Sequence, residues 1–73
     1  EASMRRQEVT SSNLKSVGYD KKNQVLEIEF QNGRVYRYRG VPPEEHEELL
    51  KAPSLGSYFI ANIRDEYEYE RAA

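Results

Sequence analysis

The chain has 73 residues, 33% of them charged and 37% hydrophobic, with a net charge of −2. That length allows one domain, near the lower limit for burying an adequate core. Without cysteine there is no disulfide and no thiolate metal site to offset the small size. The apolar runs are too short for a membrane span or a signal sequence, and the expectation is a soluble cytoplasmic chain.

The charge is unevenly spread. Residues 1–40 carry eight basic groups against five acidic, and residues 41–73 carry three against eight. Such asymmetry marks either a polyanion-binding surface or two solvated faces.

Glu1-Ala2-Ser3 ahead of Met4 reads as a cloning remnant, leaving residues 4–73 as a single domain. Residues 5–9 read as an extended lead-in. Thr10-Ser11-Ser12-Asn13 is a cluster of turn formers. With no histidine nearby and no glycine-rich loop, its hydroxyls lack the partners of a nucleophile or a phosphate site.

Ser16-Val17-Gly18-Tyr19 alternates and predicts a first strand. Asp20 to Asn23 supplies turn chemistry, with Asn23 the candidate for a left-handed conformation. A loop of Lys21 to Gln24 sets Val17 opposite Ile28 and Tyr19 opposite Leu26. Asn32-Gly33 is the strongest hairpin signal in the chain. A two-residue turn there would put arginines on the apolar face. A three-residue loop, Gln31-Asn32-Gly33 with Gly33 left-handed, instead pairs Ile28 with Tyr36, Leu26 with Tyr38 and Glu27 with Arg37. Three strands then share one apolar face of Val17, Tyr19, Leu26, Ile28, Phe30, Tyr36 and Tyr38. Their other face carries Ser16, Gly18, Glu27, Glu29, Val35, Arg37 and Arg39, and reads as wet. An exposed cross-strand pair such as Glu27–Arg37 contributes only about 0.2–1 kcal/mol.

Gly40-Val41-Pro42-Pro43 ends the sheet. Pro43 suits a first helical position, Glu44 and Glu45 suit the positive end of the helix dipole, and Lys51 and Pro53 mark the end. A helix over about Pro43–Lys51 follows. His46, the sole histidine, has no ligand partners at a useful spacing and reads as packing. Ser54 caps a second helix over roughly Leu55–Arg64. Leu55, Tyr58, Phe59, Asn62 and Ile63 form its buried stripe. Such a stripe reads as core rather than as a stacking platform for bases. Gly56 inside this helix implies a close neighbour, either the sheet or a ligand. Tyr67-Glu68-Tyr69-Glu70 alternates again and fits a fourth strand or an extended tail. The fold class is therefore α+β: a three-stranded antiparallel meander, with room for a fourth C-terminal strand, and two short helices packed on one face.

The ordered marks Ser11-Ser12-Asn13, Val17-Gly18-Tyr19-Asp20, Leu26-x-Ile28-x-Phe30-x-Asn32-Gly33, Tyr36-x-Tyr38, Gly40-Val41-Pro42 and Ala52-Pro53-Ser54-x-Gly56-x-Tyr58-Phe59 resemble the KTSC domain. The name abbreviates lysyl-tRNA synthetase C-terminal domain, and the resemblance covers about residues 7 to 71. It implies a small bacterial protein of a kind also found appended to lysyl-tRNA synthetases, and by that association an RNA-binding role. It supplies no catalytic residue. Arg64 and Arg71 match the family pattern, whereas Leu55, Ile60 and Asp65-Glu66 depart from it and lower the positive charge at the second helix.

The resulting expectation is a non-catalytic binding module without cofactor, metal or membrane partner. RNA, as tRNA or single strands, is the leading ligand, and a protein partner is the alternative. The candidate nucleic-acid contacts are Arg34, Arg37 and Arg39 on the hairpin, with Lys15, Lys21 and Lys22 at the neighbouring strand and turn.

Overall fold

The structure is a computed structural model that describes residues 6–9 and 13–73. The Thr10-Ser11-Ser12 cluster and the N-terminal residues 1–5 lie outside the described residues. In chain order the elements are β1 (Arg6–Glu8), β2 (Leu14–Asp20), β3 (Val25–Phe30), β4 (Val35–Arg39), α1 (Pro43–Lys51), α2 (Leu55–Asn62) and β5 (Tyr69–Arg71). The strands form one antiparallel sheet in sequential order.

The hairpin at Asn32-Gly33 takes the three-residue loop that alternation demands. Gly33 has φ +89°, and its N–H donates to the Phe30 carbonyl at 2.9 Å. The Asn32 side chain accepts from the Arg34 N–H at 3.0 Å, which braces the turn. Leu26 then stands opposite Tyr38, Glu27 opposite Arg37 and Ile28 opposite Tyr36. Between β2 and β3 the register sets Val17 against Ile28 and Tyr19 against Leu26. In that turn the left-handed residue is Gln24, at φ 56°, and not Asn23. Asn23 is engaged elsewhere, its side-chain amide donating to Asp20 at 2.8 Å. That bond, followed by the Asn23 backbone N–H, holds the Asp20 carboxyl below the usual carboxylate range.

Three features go beyond the sequence reading. The lead-in forms β1, which pairs with β2, placing Gln7 opposite Val17. The sheet therefore has five strands, with the C-terminal strand also formed and Tyr69 set opposite Tyr38. The first predicted strand starts earlier, at Leu14, because a bulge at Lys15 shifts the register between Leu14 and Ser16. In regular alternation Leu14 would share a face with Ser16. The extra residue turns it into the core, where it is fully buried.

The face expected to be wet is a correction. Ser16, Gly18, Glu27 and Val35 on it are buried. The added strands make β2 and β4 interior rather than edge strands. Polar groups on this face satisfy one another: Ser16 donates to the Glu29 carboxylate at 2.8 Å, and Arg37 Nε lies 3.4 Å from Glu27 Oε1.

The opposite face meets the helices. Leu14, Val17, Leu26, Ile28 and Tyr38 from the sheet pack with Val41, Leu49, Phe59 and Ile63. α1 runs as predicted, with Pro43 in its first turn and Lys51 in its last. α2 starts at the predicted cap, where Ser54 Oγ accepts from the Ser57 N–H at 3.2 Å, but it ends at Asn62. Gly56 is buried because Asn13 lies across it: a Cβ there would stand 2.9 Å from Asn13 Nδ2.

Candidate functional site

The aromatic residues divide into two groups. At one end of the molecule Tyr19 stacks on His46, with ring centroids 4.6 Å apart, and donates its hydroxyl to the Val41 carbonyl. Burial pushes the His46 imidazole below its ordinary value. Nearby, Glu45 of α1 accepts hydroxyls from both Tyr58 and Tyr67. Accepting that bond, Glu45 pushes the Tyr58 hydroxyl up to about 12. These contacts tie α1, α2 and the C-terminal segment together.

At the other end five rings form a closed circuit. Phe30 meets Tyr36 edge-on at 5.7 Å, Tyr36 stacks on Tyr69 at 5.4 Å, and Tyr69 lies 5.5 Å from Tyr38. Phe59 closes it, at 5.4 Å from Tyr38 and 5.5 Å from Phe30. Register explains the gathering, because Tyr38 and Tyr69 are cross-strand partners and Tyr36 is the next residue on that face.

Above this circuit, α2 leaves part of the sheet uncovered. The result is an open groove of about 660 Å³. The five rings line it, together with Ile60 of α2. Its polar lining includes Arg34 from the hairpin turn, Arg64 and Asp65 after α2, and the amides of Asn13, Gln31 and Asn32. Ile60 and Tyr69, at 46% and 54% exposure, are the large hydrophobic residues left open to solvent among the described residues, and both lie here. Asn13, Phe30, Asn32, Tyr36, Tyr38, Gly56 and Phe59, seven of the residues on which the family resemblance rests, meet in this one place.

The six basic residues named from the sequence do not form one patch. Lys15 and Arg34 lie at the sheet end that carries the hairpin turn, whereas Arg39 lies at the end with the Lys21–Lys22 turn. Arg37 and Arg39 are each matched to a carboxylate, Glu27 at 3.4 Å and Glu70 at 3.3 Å. Arg34 pairs with no carboxylate among the described residues. Among the described residues Arg64 pairs with the carboxylate of its neighbour Asp65, at 3.5 Å and largely in solvent.

Sequence reasoning missed Ile60, Arg64 and Tyr69 as site residues. The signal lay in parity: in an extended run Tyr69 shares a face with the half-buried Tyr67, and a C-terminal strand beside β4 sets it against Tyr38. No three His, Cys, Asp or Glu side chains among the described residues converge on a metal position. Among the described residues no helix is long and apolar enough to cross a membrane.

A five-stranded meander with two helices on one face and an aromatic groove beside the second helix defines a small α+β domain with an open aromatic face. The chain belongs to the KTSC domain family, whose model matches residues 10–67. The crystal structure of a KTSC domain protein from Yersinia pestis superposes with a TM-score of 0.92 at 38% identity, covering 97% of this chain and 100% of that one. An uncharacterised protein of Stutzerimonas stutzeri is 52% identical over 69 residues, which is 93% of this chain and 97% of that protein. The lysine–tRNA ligase of Nostoc punctiforme is 42% identical over 58 residues, a stretch that is 80% of this chain and 10% of the ligase.

Proposed function

We propose that this domain is a small non-catalytic module that binds RNA, with the open groove as its contact face. The observation that carries the reading is the pairing of the exposed Tyr69, set among the groove's aromatic rings, with Arg34 and Arg64, whose guanidinium groups are not held in buried ion pairs. Aromatic faces stack bases and arginines neutralise phosphates, so the combination matches a polyanion of planar units. The presence of the same stretch within a lysine–tRNA ligase, an enzyme that acts on tRNA, supports the choice. The reading places the domain in the cytoplasm, where tRNA is found.

Arg37 and Arg39 become secondary candidates, because neither lines the groove, and Arg37 is also held by the shielded Glu27 carboxylate. Lys21 and Lys22 sit at the far end. Arg34, Arg64 and the bulge residue Lys15 together offer about three phosphate contacts. The logarithm of affinity should then fall with that of salt at a slope of about −2 for single strands. Affinity of the isolated domain should be modest, on the order of 10⁻⁴ to 10⁻⁶ M, and useful chiefly beside a second binding module. Titration of the labelled domain with mixed tRNA at low salt tests this. Loss of all amide shifts at millimolar ligand would refute it. A protein partner is the second reading, favoured by the adjacent exposure of Ile60 and Tyr69.

A further inference from the structure

The groove is built for something narrower than RNA in general. Tyr69 lies nearly parallel to Tyr36, with 8° between the ring planes, so one of its faces is already occupied. Tyr38 holds it from another side, at 35°. More than half of Tyr69 is still exposed, so a ring that two neighbours hold in place remains open to solvent. A ring fixed in advance loses little conformational freedom when a base stacks on it. Ile60 adds an apolar side wall, and the two arginines enter the groove lining from different elements, the hairpin turn and the segment after α2.

A paired helix cannot use such a place. In A-form RNA the bases are stacked inward, and side chains meet phosphates and ribose hydroxyls instead. Nor does a charged rim alone need five rings beneath it. We infer that the groove holds one unpaired nucleotide of an RNA strand, its base against the exposed part of Tyr69 and its flanking phosphates at Arg34 and Arg64. This rests on the RNA reading above and specifies its ligand as single-stranded. Asp65 beside Arg64 agrees with it, since a carboxylate there is tolerable to one strand and repels a second line of phosphates.

The test is an amide-shift titration of the intact ¹⁵N-labelled domain with three probes at equal low salt: a mixed-sequence RNA hexamer, a blunt RNA hairpin of the same composition, and adenosine monophosphate. The expected result is binding of the hexamer with shifts at Asn32, Gly33, Ile60, Arg64 and Tyr69, and at least about tenfold weaker binding of the other two. Tyr69→Ala should weaken the hexamer roughly 5- to 150-fold, while Tyr69→Phe keeps most of the affinity. Because Tyr69 is more than half exposed, thermal melts of both variants should stay close to the parent. Arg34→Gln and Arg64→Gln should each flatten the salt slope by about 0.7. Equal binding of the hairpin overturns the unpaired-nucleotide inference, and equal binding of the mononucleotide overturns the strand. Hexamer shifts confined to Arg37 and Arg39 overturn the groove while the RNA reading survives. Silence from the hexamer, the hairpin and mixed tRNA alike removes both readings and leaves a protein partner.

Discussion

The two aromatic ends of this domain use the same residue types for different purposes. Around Tyr19, Tyr58 and Tyr67 each hydroxyl has an acceptor, the Val41 carbonyl or the Glu45 carboxylate, and the rings are at least half covered. Around Tyr36 and Tyr69 the rings meet one another, and one is left more than half open in a groove lined by Arg34 and by Arg64, whose pairing with Asp65 is solvent-exposed. Tyrosine content therefore does not mark the site. An exposed ring held by neighbours, next to a cation without a buried partner, does.

The largest effect should come from the rings shared by the groove and the core. Phe59 is 4% exposed and Tyr38 is 2% exposed, and both belong to the buried cluster. Phe59→Ala or Tyr38→Ala should each cost about 3–5 kcal/mol, comparable with the total stability of a domain this small. Denaturant melts should show either variant largely unfolded. A normal melt with weakened ligand binding would mean instead that Phe59 belongs to the open end alone.

Alkali should separate the ends next. Burial raises Tyr38 to about 12, and the hydrogen bond to Glu45 raises Tyr58 to about 12. In the unfolded chain both titrate near 10. Above about pH 10 the unfolded state gives up protons that the folded state keeps. Stability is thus complete below pH 10 and falls progressively up to about pH 12. Tyr58→Phe should remove part of that loss, as circular dichroism melts across pH 8–12 will report. His46 acts at the acid side. Its folded value is depressed by burial, so the unfolded chain takes up a proton first as pH falls below about 6.5, and stability declines through the lower folded value. With the ring stacked on Tyr19, His46→Phe should abolish that decline.

Much of this was legible before the structure. The hairpin register followed from parity, because a two-residue loop at Asn32-Gly33 puts arginines among Leu26 and Ile28. Pro43, Lys51 and Ser54 marked the helix ends through chemistry local to each position. What escaped depends on distant partners. Arg6–Glu8 has no apolar alternation and becomes a strand only because the edge of β2 is available. Leu14 required a bulge, and nothing local to Asn13-Leu14-Lys15 announces one. The groove was hidden for the same reason. Its residues come from both ends of the chain, and only the pairing of β4 with β5 brings Tyr69 to Tyr36. Gly56 did signal a close neighbour, and the neighbour is Asn13 at the groove wall.

The smallest effects belong to the outer face, where two similar arginines should behave differently. Arg39 and Glu70 are each 53% exposed, so their pair is screened by solvent, and Arg39→Gln should cost under about 0.5 kcal/mol. Glu27, at 10% exposure, sits on the central strand. Its contacts are not limited to Arg37, so Arg37→Gln weakens its surroundings without emptying them. The expected cost is about 1 kcal/mol, above the surface value because a shielded carboxylate loses part of its compensation. Neither variant should change hexamer affinity more than about twofold, and the salt slope should stay where it is, because those guanidinium groups lie outside the groove. If Arg39→Gln lowers affinity as much as Arg64→Gln does, the strand runs across the outer face and the contrast between the two ends must be redrawn.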